Sequence, residues 1–193
     1  MDCKHSPRQA ARREQILDAA AKCFVEQGFH GAGMARIAEL AHMSAGHIYH
    51  YFESKDAIIA AIVARECAMQ AEGFANFEAI PSEELLQALV EKAGEGVEMN
   101  TDPFQSVLNL EIAAEAQRNP AIAEMLRAHD TKVRSIFAAL LTTKLGLKDA
   151  EGRVELLFTI FGGLPIRILR NPGLDRDSLT AFLRKAIRSV LRD

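Results

Sequence analysis

The stretch from Met34 to Lys55 carries side chains that are suited to contact a nucleic acid. Ser44 precedes a short segment, residues 45–51, in which Ile48 faces inward. The outward positions hold small or hydrogen-bonding residues: Ala45, Gly46, His47 and His50. A short helix with a small, polar outer face fits the major groove of DNA. We therefore predict that this face, through Ala45, Gly46 and His47, lies at base edges.

Other polar side chains of the same stretch are candidates for contacts with the DNA backbone: Arg36, Ser44, Tyr49, Tyr51 and Lys55. Ser44 is also a good N-cap, because its hydroxyl can accept a backbone N–H from the first turn. Lys55 stands beside a helix N-terminus capped by Ser54, and such a terminus attracts phosphate. One of the two tyrosines is instead expected in the core. The N-terminal arm with Lys4, Arg8, Arg12 and Arg13 is expected either to follow phosphates or to form a solvated tail.

Hydrophobic periodicity predicts that helices position these side chains. Apolar residues recur at helical spacing throughout, no segment alternates at period two, and the chain is therefore predicted to be all-α. The predicted helices cover residues 8–27, 34–41, 45–51, 55–77, 82–99, 103–117, 120–145 and 149–169, followed by a last helix capped by Asp175 or Asp177. Gly28 and Gly146 are the expected C′ residues. Gly94 and Gly96 are expected either to leave room for a ligand or to mark fraying.

The run Ile37-Ala38-Glu39-x-Ala41-x-x-Ser44-x-Gly46-x-Ile48-Tyr49-x-Tyr51-Phe52-x-Ser54-Lys55 resembles the helix-turn-helix signature of TetR-type repressors. The lead-in Ile16-Leu17-x-Ala19-Ala20-x-x-x-Phe24-x-x-x-Gly28-Phe29 also resembles that family. The resemblance implies a nine-helix TetR-like fold, with a DNA-binding domain at residues 1–53 and an effector-binding and dimerisation domain at 54–193. It further implies a homodimer through the last two helices, which would read a palindromic operator on double-stranded DNA.

Two positions depart from the family pattern. His42 occupies a turn position that is usually Gly, and it must tolerate a left-handed backbone at some cost. Gly33 stands where Thr or Ser is frequent, so the usual capping and phosphate-binding hydroxyl is missing.

Polar side chains on two apolar helix faces suggest an effector site. Glu111 falls near the middle of one apolar arc with Glu115 one turn further, and His129 lies near the centre of another. A buried carboxylate is costly unless it is paired, solvated or bound to a ligand. In TetR-like proteins these helices line the effector pocket. The resemblance therefore implies a pocket formed by Met69, Phe74, Phe104, Leu108, Glu111, Glu115, Met125, His129 and Phe137.

Several interpretations of this effector site stay open. Carboxylates among aromatic and methionine side chains favour a cationic amphiphile, which would fit efflux control. An anionic or acyl ligand of a metabolic regulator is the alternative, and an internal Glu–His or Glu–Arg pair would leave no charged effector contact. A thiol redox sensor through Cys67 or Cys3 is a further possibility.

Composition excludes other classes of protein. Hydrophobic residues make up 49% of 193 residues, which supports a folded core. The longest apolar run is too short for a membrane span, residues 1–14 are polar and basic, and three cysteines lack metal-ligand spacing, so we expect a cytoplasmic protein that contacts no membrane. Neither a nucleophile elbow nor a phosphate-binding glycine loop is present. An enzyme is therefore not expected, and neither are catalytic residues, a metal or a cofactor.

Overall fold

Helices account for the regular structure of the chain in a computed structural model that describes residues 6–192. In chain order they are α1 (Pro7–Gly31), α2 (Met34–Leu40), α3 (Ala45–Ile48), α4 (Lys55–Ala75), α5 (Ser82–Thr101), α6 (Pro103–Ala116), α7 (Pro120–Leu145), α8 (Ala150–Arg170) and α9 (Arg176–Val190). The described residues contain no strand, which confirms the all-α prediction. The main difference is at α3, which ends at Ile48 and continues as a turn to Tyr51.

Side-chain N-caps are present at the starts of α6, α7 and α9. Asp102 Oδ1 accepts the backbone N–H of Gln105, and Asn119 Oδ1 accepts those of Ala121 and Ile122. Asp175, rather than Asp177, caps α9 by accepting the N–H of Ser178. Ser82 is the first residue of α5 rather than its cap, and Pro81 occupies the N-cap position without a side-chain hydrogen bond.

The chain divides into two compact units. The N-terminal unit contains the chain up to Glu66 together with Glu111–Ala123, and the C-terminal unit contains Cys67–Leu110 together with the chain from Glu124 on. The boundaries fall within α4, α6 and α7. The predicted domain division at residues 53 and 54 therefore differs from the division that the structure shows, since the end of α6 joins the N-terminal unit.

The N-terminal unit has a core of aliphatic and aromatic side chains from α1 to α4. Phe24 and Phe29 are buried with their rings edge to face, 4.6 Å apart. Cys23 is fully buried, and desolvation raises the pKa of its thiol, as expected for an inert core cysteine. Gly28 adopts φ 72° and ψ 163°, which interrupts α1 where the sequence predicts its C′ residue. The chain then makes one more helical turn before α2.

The C-terminal unit is built around a cluster of buried side chains from α5, α7, α8 and α9. Phe74, Phe137 and Phe158 pack on one another, and the rings of Phe74 and Phe158 are stacked 5.6 Å apart. Gly94 and Gly96 do not mark a ligand cavity or a frayed end. A Cβ at Gly96 would lie 2.8 Å from Cε1 of Phe161, and one at Gly94 would lie 3.2 Å from Nη2 of Arg184, so these glycines allow close packing of side chains from α8 and α9.

Residues 6–192 offer neither a helix suited to a bilayer nor a cluster of metal ligands. None of the described helices combines the length and apolar character needed to cross a bilayer. Within the same part of the chain, no group of three or more His, Cys, Asp or Glu side chains is placed to hold a metal ion.

Candidate nucleic-acid interface

The helix-turn-helix is held together by backbone hydrogen bonds and two local caps. The Met43 N–H donates to Ala38 O across the turn, and His42 adopts the predicted left-handed conformation with φ 53°. Ser44 Oγ accepts the backbone N–H of His47 at 3.2 Å, which confirms its predicted role as the N-cap of α3. Gly33 occupies the N-cap position of α2 and has no side chain that could accept a backbone N–H there.

The outer face of α3 and the following turn is open to solvent. Gly46, His47 and His50 are exposed, Ala45 is partly exposed, and a Cβ at Gly46 would meet no atom within 4 Å. The His47 ring lies edge to face with Tyr51, with ring centres 5.5 Å apart. Together with Gln9, the side chains of His47, His50 and Tyr51 line a surface hollow of about 370 Å³. This face is therefore free to approach a ligand.

The two tyrosines differ in exposure, but neither lies in the core as was predicted for one of them. Tyr49 is 52% exposed, whereas Tyr51 is partly buried and its carbonyl oxygen accepts a hydrogen bond from Arg13 Nη1. Arg13 also stacks over the ring of Phe52, with its Cζ 4.1 Å from the ring centre. The guanidinium of Arg13 therefore holds the end of the turn that follows α3. This gives it a structural role that differs from both roles expected for the arm.

Two other cations that were predicted to contact phosphate instead contact groups of the protein itself. Arg36 Nη1 pairs with Glu39 Oε2 at 2.8 Å on the exposed side of α2, and this pair raises the pKa of Arg36. Lys55 Nζ donates to the carbonyl oxygens of Phe29 at 2.7 Å and Ala32 at 3.2 Å. Lys55 thus has a different contact from the predicted phosphate clamp, while Ser54 Oγ caps α4 by accepting the N–H of Ala57.

Side chains from α1 that sequence reasoning left out also position this surface. Gln15 Nε2 donates to Ala41 O at 2.7 Å, at the start of the turn. Gln9 lines the hollow beside α3. Their positions on the polar side of α1 gave no sequence signal, because glutamines on an exposed helix face are ordinarily solvated.

The predicted effector residues divide between the two units. Glu111 and Glu115 belong to the N-terminal unit, and the other seven belong to the C-terminal unit. Glu111 Oε2 accepts the backbone N–H of Phe29 at 3.2 Å, and Glu115 Oε2 lies 3.3 Å from His30 Nε2 and 3.9 Å from Arg118 Nε. These contacts are internal: Glu115 lies beside a histidine and an arginine, whereas Glu111 bonds a backbone N–H rather than a His or Arg side chain. They leave both carboxylates in contact with the protein itself.

The remaining predicted effector residues do not share one environment. Met69 and Phe104 are exposed, Leu108 and Phe137 are buried, and Phe74, Met125 and His129 are partly buried. His129 Nε2 lies 3.1 Å from Gln70 Oε1, and burial lowers the pKa of the imidazole. A hollow of about 670 Å³ on α7 and the start of α8 contains none of them; it is lined by Ser135, Ala138, Ala139, Thr142 and residues 149–152.

These features define a class of protein: a helix-turn-helix regulator that binds DNA. The family model described as "Bacterial regulatory proteins, tetR family" matches residues 16–62, and the model described as "Tetracyclin repressor-like, C-terminal domain" matches residues 81–193. The chain belongs to the TetR family and is a DNA-binding transcriptional regulator of the repressor type.

Individual relatives agree with this assignment. The chain is 33% identical over 159 residues to the HTH-type transcriptional regulator UidR of Escherichia coli (strain K12), which covers 81% of this chain and 75% of UidR. It is similar to Salmonella enterica GusR, with 28% identity, a TM-score of 0.70 and coverage of 98% of this chain and 99% of GusR. A TetR transcription regulator from Haloarcula marismortui ATCC 43049 has the same fold, with 22% identity, a TM-score of 0.76 and coverage of 94% and 97%.

Proposed function

We propose that the chain represses transcription by binding a palindromic operator as a homodimer, with α3 in the major groove. The observation that supports this proposal is the exposed face of α3. There, Ala45, Gly46 and His47 follow the Ser44 cap and are exposed or partly exposed to solvent. His47 is the base-reading residue with the largest hydrogen-bonding side chain on this face. Tyr49, His50, Tyr51 and Arg36 contact the DNA backbone or its vicinity.

The homodimer of this proposal forms through α8 and α9. Large apolar side chains remain exposed on both helices: Leu156, Ile166, Leu169 and Phe182. Exposed apolar side chains that recur along neighbouring helices are typical of a protein interface. A twofold dimer presents two reading helices to two half-sites, so the operator is a palindrome.

The experiment that tests DNA reading is a selection of bound duplexes from a random-sequence library with the purified protein. We expect a palindromic consensus with half-sites about 10 base pairs apart, centre to centre, or a multiple of that distance. Failure to enrich any sequence, or enrichment of sites without a twofold relation, would contradict the proposal.

The role of His47 is tested on the selected operator with His47→Ala. Loss of one good base contact weakens specific binding by about 1–3 kcal/mol and relaxes the preference at one position of each half-site. His129→Ala makes the same side-chain change in the C-terminal unit and serves as the matched control, which is expected to leave affinity and consensus unchanged. An unchanged consensus for His47→Ala would show that this side chain does not read a base.

A small-molecule effector that releases the operator completes the proposal. The prediction of a cationic effector depended on the carboxylates of Glu111 and Glu115. These carboxylates contact Phe29 and His30 of the protein itself, so they give no reason to expect a cation. His129 is a weak anchor for an anion, because burial favours its neutral form. These contacts therefore favour neither charge of the effector.

A thermal-shift screen with cationic, neutral and anionic amphiphiles tests the effector. A ligand at 100 times its dissociation constant stabilises the protein by about 2.7 kcal/mol, which corresponds to a shift of several degrees. A compound that raises the melting temperature and lowers operator affinity supports the proposal and assigns the charge class. A dependence of operator affinity on reductant alone would instead favour a redox sensor through Cys67, or through Cys3, which lies outside the described residues.

A further inference from the structure

The segment between the break in α1 and the start of α2, residues 28–33, is held from two sides by charged side chains. We call this segment the α1–α2 joint. Its Phe29 N–H donates to Glu111 Oε2 of α6 at 3.2 Å. The carbonyl oxygens of Phe29 and Ala32 accept hydrogen bonds from Lys55 Nζ at the start of α4, at 2.7 and 3.2 Å. Both backbone groups of Phe29 are therefore bonded to ionisable side chains that are distant in sequence.

The joint needs such partners because of its backbone conformation. Gly28 adopts φ 72° and ψ 163°, a region that is essentially open only to glycine, and it interrupts the helical ladder. A buried N–H that lacks an acceptor costs free energy comparable to a lost hydrogen bond. Glu111 supplies that acceptor, and the buried ring of Phe29 fixes the other side of the joint against Phe24.

The carboxylate of Glu111 lies directly over the break. A Cβ added at Gly28 would be 3.4 Å from Glu111 Oε2, so the close approach uses the space that a side chain at residue 28 would occupy. Glu115, one turn further along α6, is only 4% exposed and faces the same joint. Its Oε2 lies 3.3 Å from His30 Nε2, yet that oxygen accepts no hydrogen bond among the described residues. Two acidic side chains of α6 are thus directed at the joint.

We propose that Glu111 is a positioning residue for DNA recognition, because its hydrogen bond to Phe29 fixes the direction in which the chain enters α2 and so the orientation of α3. This inference rests on the proposed function, since it concerns the same DNA-reading helix. Glu111 itself touches no DNA and acts through the α1–α2 joint.

The test compares two substitutions that differ in one property. Glu111→Gln keeps an oxygen that can accept the Phe29 N–H, whereas Glu111→Met keeps the length of the side chain and removes the acceptor. Binding is measured with the operator duplex selected from the random library. We expect Glu111→Met to weaken binding at least tenfold and Glu111→Gln to remain within about threefold of wild type. Glu124→Ala, which removes an exposed glutamate paired with Arg127, is the control and should bind as wild type.

Two further measurements separate positioning from general loss of stability. The slope of log K against log salt should stay unchanged in Glu111→Met, because no phosphate contact is lost. Amide hydrogen exchange at Phe29, measured without DNA, should accelerate in Glu111→Met and stay slow in Glu111→Gln. Equal affinity of wild type and Glu111→Met, or equal loss in both variants, would overturn the inference. The exchange result does not depend on DNA, so a failure to find any operator counts against the proposed function alone.

Lys55→Met provides a second variant in case Glu111→Met does not fold. It removes the donor on the other side of the joint, and we expect weaker operator binding at an unchanged salt slope. A residue that contacts a phosphate would instead lower that slope by about 1. A salt slope reduced by this amount, or wild-type affinity, would contradict the role of the joint.

Discussion

His42 carries an unusual backbone conformation for its residue type. It lies in the turn between α2 and α3 with φ 53°, and its side chain is exposed. A residue with a Cβ is disfavoured in this region by about 1–2 kcal/mol, although histidine is found there more often than most. The turn is therefore a place where this chain carries strain that a glycine would relieve.

Replacing His42 by glycine should consequently stabilise the protein. The relief of strain is offset in part by the larger conformational entropy of glycine in the unfolded chain, so we expect a net gain of up to about 1 kcal/mol. For a chain of this length such a gain raises the melting temperature by about 2–4 °C. His42→Ala is the control, because it removes the imidazole but keeps the Cβ, and it should not stabilise. A lower melting temperature for His42→Gly would show that the imidazole itself stabilises the turn.

Residue-level prediction succeeded where chemistry is local. The Ser44 cap, the glycine conformations at residues 28 and 146, and the left-handed His42 all follow from the preferences of single residues and their neighbours. The partners of Glu111 and Lys55 did not follow, because each bonds a backbone group that lies 82 or 26 positions away. A helix arc shows that a carboxylate faces the protein, but it does not show which backbone group will accept or donate there.

Close helix packing is the main element-scale feature of the C-terminal unit. Gly96 of α5 faces the ring of Phe161 on α8. Phe161 packs against the buried cluster of α5, α7, α8 and α9 and also against a smaller cluster of Val97, Leu164 and Leu183. From sequence alone, Gly94 and Gly96 suggested either room for a ligand or fraying of the helix, since nothing in α5 indicates which side chains lie opposite them. The limits of helices were better predicted than their packing, because caps and breakers are local signals.

Gly96→Ala should therefore destabilise the protein even though alanine favours a helix. Its Cβ would lie 2.8 Å from Phe161 Cε1, and a ring held by two clusters cannot move away freely. Overpacking costs about 1–3 kcal/mol, against a gain in helix propensity of about 1 kcal/mol. Gly73→Ala in α4 is the matched control, because a Cβ there meets no atom within 4 Å, and it should be neutral or stabilising.

Urea unfolding of the two variants measures this difference. The midpoint should fall for Gly96→Ala and stay or rise for Gly73→Ala, with similar slopes. Equal stabilisation by both substitutions would mean that Phe161 moves aside at little cost. In that case the glycines of α5 would need another explanation.

At the scale of the whole molecule, two different sequence signals predict the all-α architecture with a DNA-binding end. The signature of residues 34–55 identifies the DNA-binding end, and hydrophobic periodicity identifies the helices of the remainder. The division into units was harder to predict, because the end of α6 joins the N-terminal unit through contacts that are distant in sequence. The proposed dimer depends on apolar side chains that remain exposed in the single chain.

Phe182→Glu tests that dimer at its most exposed large side chain. Phe182 of α9 is 65% exposed, with Lys185 Nζ 5.2 Å from its ring centre. A carboxylate placed in an apolar interface would be desolvated twice by the twofold symmetry, so we expect dissociation to monomers in sedimentation experiments. Operator binding should weaken strongly, because a monomer contacts one half-site, while the helical content stays that of the wild type.

Met69→Glu is the matched control for this charge substitution. Met69 is 61% exposed, nearly as much as Phe182, but it lies on α4 rather than on α8 or α9. It should leave both the sedimentation coefficient and operator affinity unchanged, because an exposed apolar side chain outside the interface can be replaced at little cost. If Phe182→Glu remains dimeric, the apolar face of α9 is not the interface. If Met69→Glu alone becomes monomeric, the two copies instead associate through α4.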